Sequence, residues 1–478
     1  MSNITGDSGM QKLLTISAIL GACLALLGWS AAPLAARADT KSFSEPKWLA
    51  EARARAQTDR ELPDLDVQST LEDYQIYAAL KNPGLKSAFQ KWRASMEKVP
   101  QATALPDPML SFGVFLEEVE TRVGPQEWKA SLSQKFPWFG KLDLKGQVAA
   151  EAANAAWHRY QATKLDLFHR VAQAYAEYYY LKQAIDVTRE SLSIVKRLEQ
   201  VARTQYRTGT IPHADVIRAQ VELGKLEDRL ASLQDLRRPR AAKLNAALGR
   251  PSNADLPWPK SLPRSEAGSL TQAKITDWLK DANPRLKALR AQVDSGKAAV
   301  EFAGKRYYPD ITAGVTYIDT GSAVMSGVDE SGKDPVALTL GVNLPIWRDS
   351  YRAGERQALA QLRDARRSLE NRLNVLESDA QLALYDVQDA DRRINLYKNT
   401  LVPKARQSLK ANETAFRAGK MDFLSVLDSQ RELLQFELSH QRALADHVKA
   451  TARLEKLVGR ELTTPTGASS DENSETGG

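Results

Sequence analysis

Residues 206–209 read Tyr206-Arg207-Thr208-Gly209, and residues 416–419 repeat the pattern as Phe416-Arg417-Ala418-Gly419. Four other motifs recur in the same order around this pair: Asn82-Pro83 and Asn283-Pro284, Pro106-Asp107 and Pro309-Asp310, Pro137 and Pro345, and Gly249-Arg250 and Gly459-Arg460. The offset drifts from 201 residues at the Asn-Pro pair to 210 at both glycine pairs. Solenoid repeats are only about 20–50 residues long. The sequence therefore indicates two copies of one large block, each with a helix, two strands, a long helix, a turn and a helix.

The long helices are predicted from apolar residues at alternating steps of three and four. In the first half these positions are Tyr178, Leu181, Ile185, Thr188, Leu192, Val195, Glu199, Ala202 and Tyr206, and in the second half Leu373, Leu376, Ala380, Ala383, Val387, Ala390, Ile394, Tyr397 and Leu401. A further series follows at Leu424, Leu427, Arg431, Leu434 and Leu438. This 3.5-residue spacing is typical of a coiled-coil seam. It predicts helices over about 139–207 and 348–417, each about 100 Å long at 1.5 Å per residue, with Pro403 kinking the second or changing its winding.

The segments before the long helices switch to a period of two. Strands are predicted at 108–116, 128–136, 311–318 and 336–344, and in the last one Leu338, Leu340 and Val342 alternate with Thr339 and Gly341. Strands of about 9–11 residues with one apolar face are typical of a membrane β-barrel, and a soluble sheet packed on helices is the alternative. Four strands cannot close a barrel, and an open edge is costly in lipid. The predicted fold is therefore mainly α, with four transmembrane strands per chain completed by a trimeric α-barrel and β-barrel.

The two ends of the chain indicate export. An apolar run from Leu13 to Trp29 precedes a small-residue cleavage site before Asp39, which predicts a signal peptide; the start codon is Met1 or Met10. The alternative is lipidation of Cys23, the only cysteine, within a lipobox-like stretch. The predicted boundaries are a signal peptide at 1–38, an N-terminal arm at 39–70, a first repeat at 71–250, a linker at 251–270, a second repeat at 271–460 and a disordered tail at 461–478.

Composition and motif searches exclude several functions. The net charge of +7 is spread over both halves, which favours a solvated surface over a nucleic-acid site. None of the five histidines belongs to a His-Glu-x-x-His motif or an i, i+4 pair, and no phosphate-binding glycine loop or nucleophile elbow is present. We therefore predict no enzyme activity, no metal site and no cofactor.

The motifs resemble those of TolC-type outer-membrane efflux proteins over about residues 70–460. The resemblance is carried by the stretches Leu105–Pro108, Gln134–Lys141 and Arg207–Gln220, and the Phe136-Pro137-Trp138-Phe139-Gly140-Lys141 stretch is similar to the heavy-metal efflux branch. The resemblance implies a homotrimeric, passive conduit in outer-membrane lipid with its helices in the periplasm. It also implies a periplasmic adaptor (membrane fusion) protein and an inner-membrane pump of the resistance-nodulation-division type as partners. The alternative is a soluble periplasmic coiled-coil scaffold or adaptor.

The same resemblance assigns roles to the two glycine turns. It implies that Gly209 with Thr210, and Gly419 with Lys420, form the periplasmic tips on which the adaptor docks. It further implies that Asp215 and Asp428 occupy matching positions in the two repeats and ring a closed aperture that favours cations. The alternative is that both acids are ordinary surface carboxylates near a helix start.

Overall fold

The computed structural model describes residues 64–263, 265 and 270–462. Within them the chain forms α1 (Leu71–Lys81), α2 (Pro83–Met96), α3 (Lys98–Thr103), β1 (Met109–Val119), β2 (Gln126–Phe136), α4 (Lys141–Arg207), α5 (His213–Asp235), α6 (Arg237–Leu248), α7 (Gln272–Ala282), α8 (Pro284–Lys305), β3 (Ile311–Thr320), β4 (Val336–Val342), α9 (Arg348–Leu396), a π-helical turn (Tyr397–Leu401), α10 (Val402–Arg417) and α11 (Phe423–Val458). The mainly helical class with a small sheet is confirmed. The predicted signal peptide, Cys23, most of the N-terminal arm and nearly all of the tail lie outside the described residues.

One compact unit contains the sheet, with described residues 103–147 and 305–346. Its four strands are antiparallel in the order β1-β2-β3-β4. Phe112 lies opposite Ala130, which lies opposite Tyr317, which lies opposite Val336. Because residues directly opposite each other point to the same face, the apolar positions of all four strands lie on one face. The predicted alternation is confirmed, and the rings of Phe112, Trp128 and Tyr317 follow one another at 5.4 Å between centroids.

The strand ends differ from the prediction. Strand β1 continues to Val119, beyond a break in register after Val114. Strand β4 ends at Val342, so the prediction that Leu344 belongs to it is wrong. The reason is local: Pro345 has no backbone N–H to donate to a strand ladder, so the pairing cannot continue through it.

The second compact unit contains the helices, with described residues 64–102, 148–263, 265, 270–304 and 347–462. Helix α4 has 67 residues, about 100 Å at 1.5 Å per residue. The predicted seam positions from Tyr178 to Ala202 and from Leu376 to Ala390 are buried, including the polar Thr188 and Glu199. Those at the two ends of the second series are half-buried, namely Leu373, Ile394, Tyr397 and Leu401. Three predicted seam positions are wrong: Tyr206 is 43% exposed, Leu424 is 39% exposed, and the Arg431 side chain is 44% exposed. Tyr206 and Leu424 lie beside a turn, where the chain reverses and neighbouring helix surface runs out.

The π-helical turn at Tyr397–Leu401 explains how the second long helix differs from the first. It lies just before Pro403, as the predicted change of winding requires. Seam residues before the turn correspond to those of the first repeat at an offset of 209, as in Leu181 and Ala390. After the turn the offset is 210, as in Val195 and Ala405. A π-helical turn holds one residue more than an α-helical turn at the same place. The turn therefore absorbs one inserted residue and keeps the seam in phase.

The Asn-Pro and Gly-Arg motifs of each repeat meet in space. The amide of Asn82 donates to the Ala247 carbonyl at 2.9 Å, and that of Asn283 donates to the Leu457 carbonyl at 2.7 Å. Gly249, with φ +78, leaves no room for a side chain, because an added Cβ would lie 2.9 Å from the Asn82 Cα. These motifs therefore pin the first helices of each repeat to its last helix.

The linker packs on the middle of α4. The Tyr178 ring stacks on Trp258 with centroids 4.4 Å apart, and its hydroxyl donates to the Leu256 carbonyl at 3.1 Å. The Tyr175 hydroxyl donates to the Ser261 carbonyl at 2.9 Å. Tyr175 and Tyr178 are therefore packing residues that hold the linker.

Candidate substrate gate and docking turns

The two glycine turns have the same backbone geometry. Gly209 and Gly419 have φ of 73° and 68°, in the left-handed region that glycine adopts without strain. The N–H of Thr210 donates to the Gln205 carbonyl and the N–H of Lys420 to the Ala415 carbonyl, both at 2.9 Å. Gly209 and Gly419 donate three residues back at 3.0 Å, which completes a Schellman motif in each turn. An added Cβ would meet nothing at either glycine, so both are required for φ and not for space.

The turns sit on a shared hydrophobic core within the helical unit. Phe416 and Phe423 are buried and their rings lie 5.4 Å apart. Val216 and Val426, one from each following helix, are buried in the same cluster. The side chain of Gln205 also donates to the Phe416 carbonyl at 3.4 Å. The two predicted docking turns are thus brought together, and Gly209, Thr210, Gly419 and Lys420 are all exposed.

The helices that follow the turns begin differently. Helix α11 is capped by Asp422, whose carboxylate accepts from the Ser425 N–H at 2.9 Å. Hydrogen bonds from the Ser425 side chain and N–H hold the pKa of Asp422 below its usual range. Helix α5 starts after Pro212, which provides no side-chain cap.

Asp215 and Asp428 do not occupy matching positions, and that prediction is wrong. Helices α5 and α11 start 210 residues apart, at His213 and Phe423. Asp215 is therefore equivalent to Ser425, both third in their helices, and Asp428 is equivalent to Arg218. The glycine turns fix where each helix begins, so equivalence follows from the distance to the turn and not from the presence of an acid in each helix.

Each predicted gate carboxylate is paired with an arginine one helical turn later. Asp215, whose side chain is 10% exposed, lies 2.9 Å from the Arg218 Nη1. Asp428, whose side chain is 60% exposed, lies 3.0 Å from the Arg431 Nη1. The structure therefore places one acid against the helical core and the other in solvent.

Sequence reasoning missed Glu222, which joins the two helices beside the gate. Arg431 of α11 donates to its carboxylate from Nη2 at 2.6 Å and from Nε at 3.1 Å. This two-point hydrogen bond to Glu222 raises the pKa of Arg431, and burial opposes the effect. The available signal was Arg431 itself, because an arginine within an otherwise apolar coiled-coil series indicates an ion pair with a neighbouring helix.

Side chains that could ligate a metal are dispersed over the part of the chain that the structure describes. There, no three His, Cys, Asp or Glu side chains lie close enough together to hold a metal ion. Burial lowers the pKa of His158 and of His169 to about 4, with Lys287 and Lys456 respectively adding to the effect. Within the part of the chain that the structure describes, no helix combines the length and apolar character that crossing a membrane demands.

Comparison with known proteins identifies the family. The family model "Outer membrane efflux protein" matches residues 75–250 and 277–460, so it covers both repeats. The chain belongs to the outer membrane efflux protein family. The resemblance to TolC-type channels is thereby confirmed, and the protein is an efflux channel of the outer membrane. The alternative of a soluble periplasmic scaffold is not supported.

Relatives and solved structures agree with this assignment. The cobalt-zinc-cadmium resistance protein CzcC of Cupriavidus metallidurans is 25% identical over 405 residues, which cover 82% of this chain and 90% of that protein. The pyoverdine export outer membrane protein OpmQ of Pseudomonas putida is 22% identical and covers 69% of each chain. The fold is similar to that of VceC from Vibrio cholerae, with a TM-score of 0.67, 18% identity and coverage of 82% and 96%. It is also similar to that of CusC, with a TM-score of 0.69, 15% identity and coverage of 84% and 99%.

Proposed function

We propose that three copies of this chain assemble into one conduit through which substrates leave the periplasm passively. The observation that carries the proposal is the sheet, which has an apolar face in register across four strands. Among the described residues, its edge strands β1 and β4 each pair on one side only. In lipid each unpaired backbone group costs several kcal/mol. Strands from other copies must therefore pair with both edges. Three copies give twelve strands, an even number as in bacterial outer-membrane barrels.

Exposed apolar residues on the helices support contacts between copies. On α9, Val375, Leu382 and Tyr385 are exposed at coiled-coil spacing, away from the buried seam. On α5, Ile217 and Val221 are exposed one helical turn apart. A second apolar seam on a coiled-coil helix indicates a second helical neighbour. The same assembly would thus build a helical barrel from the long helices.

The proposed partners are a periplasmic adaptor and an inner-membrane pump of the resistance-nodulation-division type. Family membership supports this arrangement, and the exposed turns around Gly209 and Gly419 are the proposed adaptor-docking tips. Asp215 and Asp428 form the proposed aperture, with Arg218 and Arg431 as their partners within the chain. The conduit carries out no catalytic step and requires no cofactor.

The substrate is proposed to be selected by the pump. One relative is named for cobalt, zinc and cadmium resistance, and another for pyoverdine export. Such different names support a shared conduit whose partner determines the cargo. The similarity to the heavy-metal branch stays a prediction.

Fractionation of cells that express the full chain tests the proposal. We expect a heat-sensitive trimer in the outer membrane on gels run without boiling, and discrete conductance steps when the purified trimer is added to planar bilayers. A monomer in the periplasmic fraction, with no conductance, would refute the conduit.

A further inference from the structure

The face of the sheet opposite the apolar one is lined almost entirely by small residues. Its small members in the regular register are Ser111, Gly113, Ser131, Ser133, Thr312, Gly314, Thr316, Ala337, Thr339 and Gly341, and its larger members are Met109, Ile318 and two lysines. The hydroxyls of Ser131 and Thr316 lie 2.9 Å apart across two strands. Little side-chain volume therefore projects from this face, and any long charged side chain on it has a large electrostatic effect.

Two lysines of β2 project from this small-residue face. Lys135 lies 3.0 Å from the Asp310 carboxylate, which also binds Lys141 at 2.6 Å. Lys129 differs, because among the described residues no carboxylate forms an ion pair with it. Its ammonium lies 5.7 Å from the centre of the Phe115 ring. Lys129 is therefore the uncompensated charge of this face.

Gly113 on β1 fixes the direction in which Lys129 extends. The two residues are directly opposite each other. A Cβ added at Gly113 would lie 3.3 Å from the Lys129 Cε and 3.6 Å from its Cγ. The lysine stem thus lies across the glycine, along the small-residue face, and its charge stays over that face.

The nearest acids of the strands belong to a different region. Glu127 is two residues before Lys129 in β2, at the register shift between Gln126 and Trp128. Its Oε1 lies beside Gly321, where an added Cβ would approach within 2.8 Å. Glu117 and Glu118 follow Val114, where the β1 register breaks. The strand residues of the small-residue face in the regular register therefore include two lysines and no acid. Asp310, which precedes β3, forms an ion pair with Lys135.

We propose that Lys129 is a selectivity residue that makes the barrel prefer anionic solutes. The inference rests on the proposed trimer, in which the apolar face meets lipid and the small-residue face lines the lumen. Three Lys129 ammonium groups then lie at one level of the pore. Rings of basic side chains favour anions in pores, because the low-dielectric wall concentrates their field.

Block of single channels by inorganic tripolyphosphate tests the inference. The probe is added to purified trimers in planar bilayers, on the side of the loops at 120–125 and 321–335. We expect wild-type block that weakens as salt rises, since the attraction is screened. Lys129→Gln is expected to weaken block about tenfold, because three charges are lost at one level. The matched variant Lys129→Arg keeps the charge, and we expect it to stay within about twofold of wild type.

Chemical modification gives an independent readout at the same position. In Lys129→Cys, a cationic thiosulfonate restores a positive charge and is expected to restore block, whereas an anionic one is expected to weaken it further. Open channels that tripolyphosphate blocks equally in wild type and Lys129→Gln would overturn the inference and leave the proposed conduit intact. Failure of the wild-type chain to form channels at all would instead overturn the proposed function.

Discussion

Leu340 on β4 provides a direct test of which face of the sheet meets lipid. Its side chain is 82% exposed in the single chain, and it lies opposite Ala313 on the apolar face. An arginine on the lipid face near mid-membrane costs about 2–4 kcal/mol per strand. Because a trimer contains three copies, Leu340→Arg is expected to destabilise the assembled barrel by about 6–12 kcal/mol.

The neighbouring residue Thr339 is the matched control. It lies opposite Gly314 on the small-residue face, and a Cβ at that glycine would be 2.8 Å from the threonine hydroxyl. Thr339→Arg adds the same side chain to the same strand but directs it toward the proposed lumen. We expect this variant to assemble with near wild-type yield.

The assay is the amount of heat-sensitive trimer in the outer membrane, together with urea unfolding of the purified trimer in lipid vesicles. Leu340→Arg is expected to lose most of the trimer and Thr339→Arg little. Equal loss in both variants would show that the sheet does not have one face in lipid and the other in the lumen. Greater loss in Thr339→Arg would reverse the assigned orientation.

Three further predictions concern the helices. Leu376→Asp buries a charge at a position 1% exposed, which costs several kcal/mol without a partner, so the trimer's melting temperature is expected to fall; an unchanged value would contradict the seam. Asp215→Asn with Asp428→Asn is expected to relieve block by a trivalent cation in bilayers while trimers still assemble, and block as tight as in wild type would place the gate carboxylates elsewhere. In the folded protein His169 has a pKa of about 4, below the ordinary histidine value of 6.5. As the pH falls from 6.5 toward 4 the unfolded chain binds the proton first, so the free energy of unfolding is expected to fall over this pH range. The fall is expected to be smaller in His169→Gln. A pH profile that is the same in both proteins would contradict the last prediction.

Periodicity predicted the long helices and the faces of the strands, because buried positions must be apolar and recur at the period of the helix or strand. The seam positions from Tyr178 to Ala202 are buried as expected, and so are those from Leu376 to Ala390. The apolar alternation in β4 likewise predicted the face that lies, across β2 and β3, on the same side of the sheet as the apolar residues of β1. One face of each helix or strand must avoid water. The spacing of its apolar residues shows this face even when the elements that pack against it are unknown.

Pairings across the fold could not be predicted in the same way. The contact between Arg431 and Glu222 joins residues 209 positions apart, and only the packing of α5 on α11 brings them together. The repeated Asn-Pro and Gly-Arg motifs show the duplication in the sequence. Their spacing does not indicate that they contact each other, as they do through Asn82 and Gly249. The non-equivalence of Asp215 and Asp428 was missed for a related reason, since it depends on where each helix begins.

The π-helical turn at Tyr397–Leu401 shows where a long packed helix can accept one additional residue. One additional residue in an unbroken α-helix rotates everything after it by about 100°, which would turn Ala405, Leu409 and Phe416 out of the core that they occupy. Single-residue insertions elsewhere in α9 or α10 are thus expected to be eliminated by selection, whereas one that the helix accommodates as a wider turn survives. The offset between the two repeats grows from 201 residues at the Asn-Pro pair to 210 at the glycine pairs. The wider turn shows how one added residue fits into a packed helix without rotating the seam that follows it.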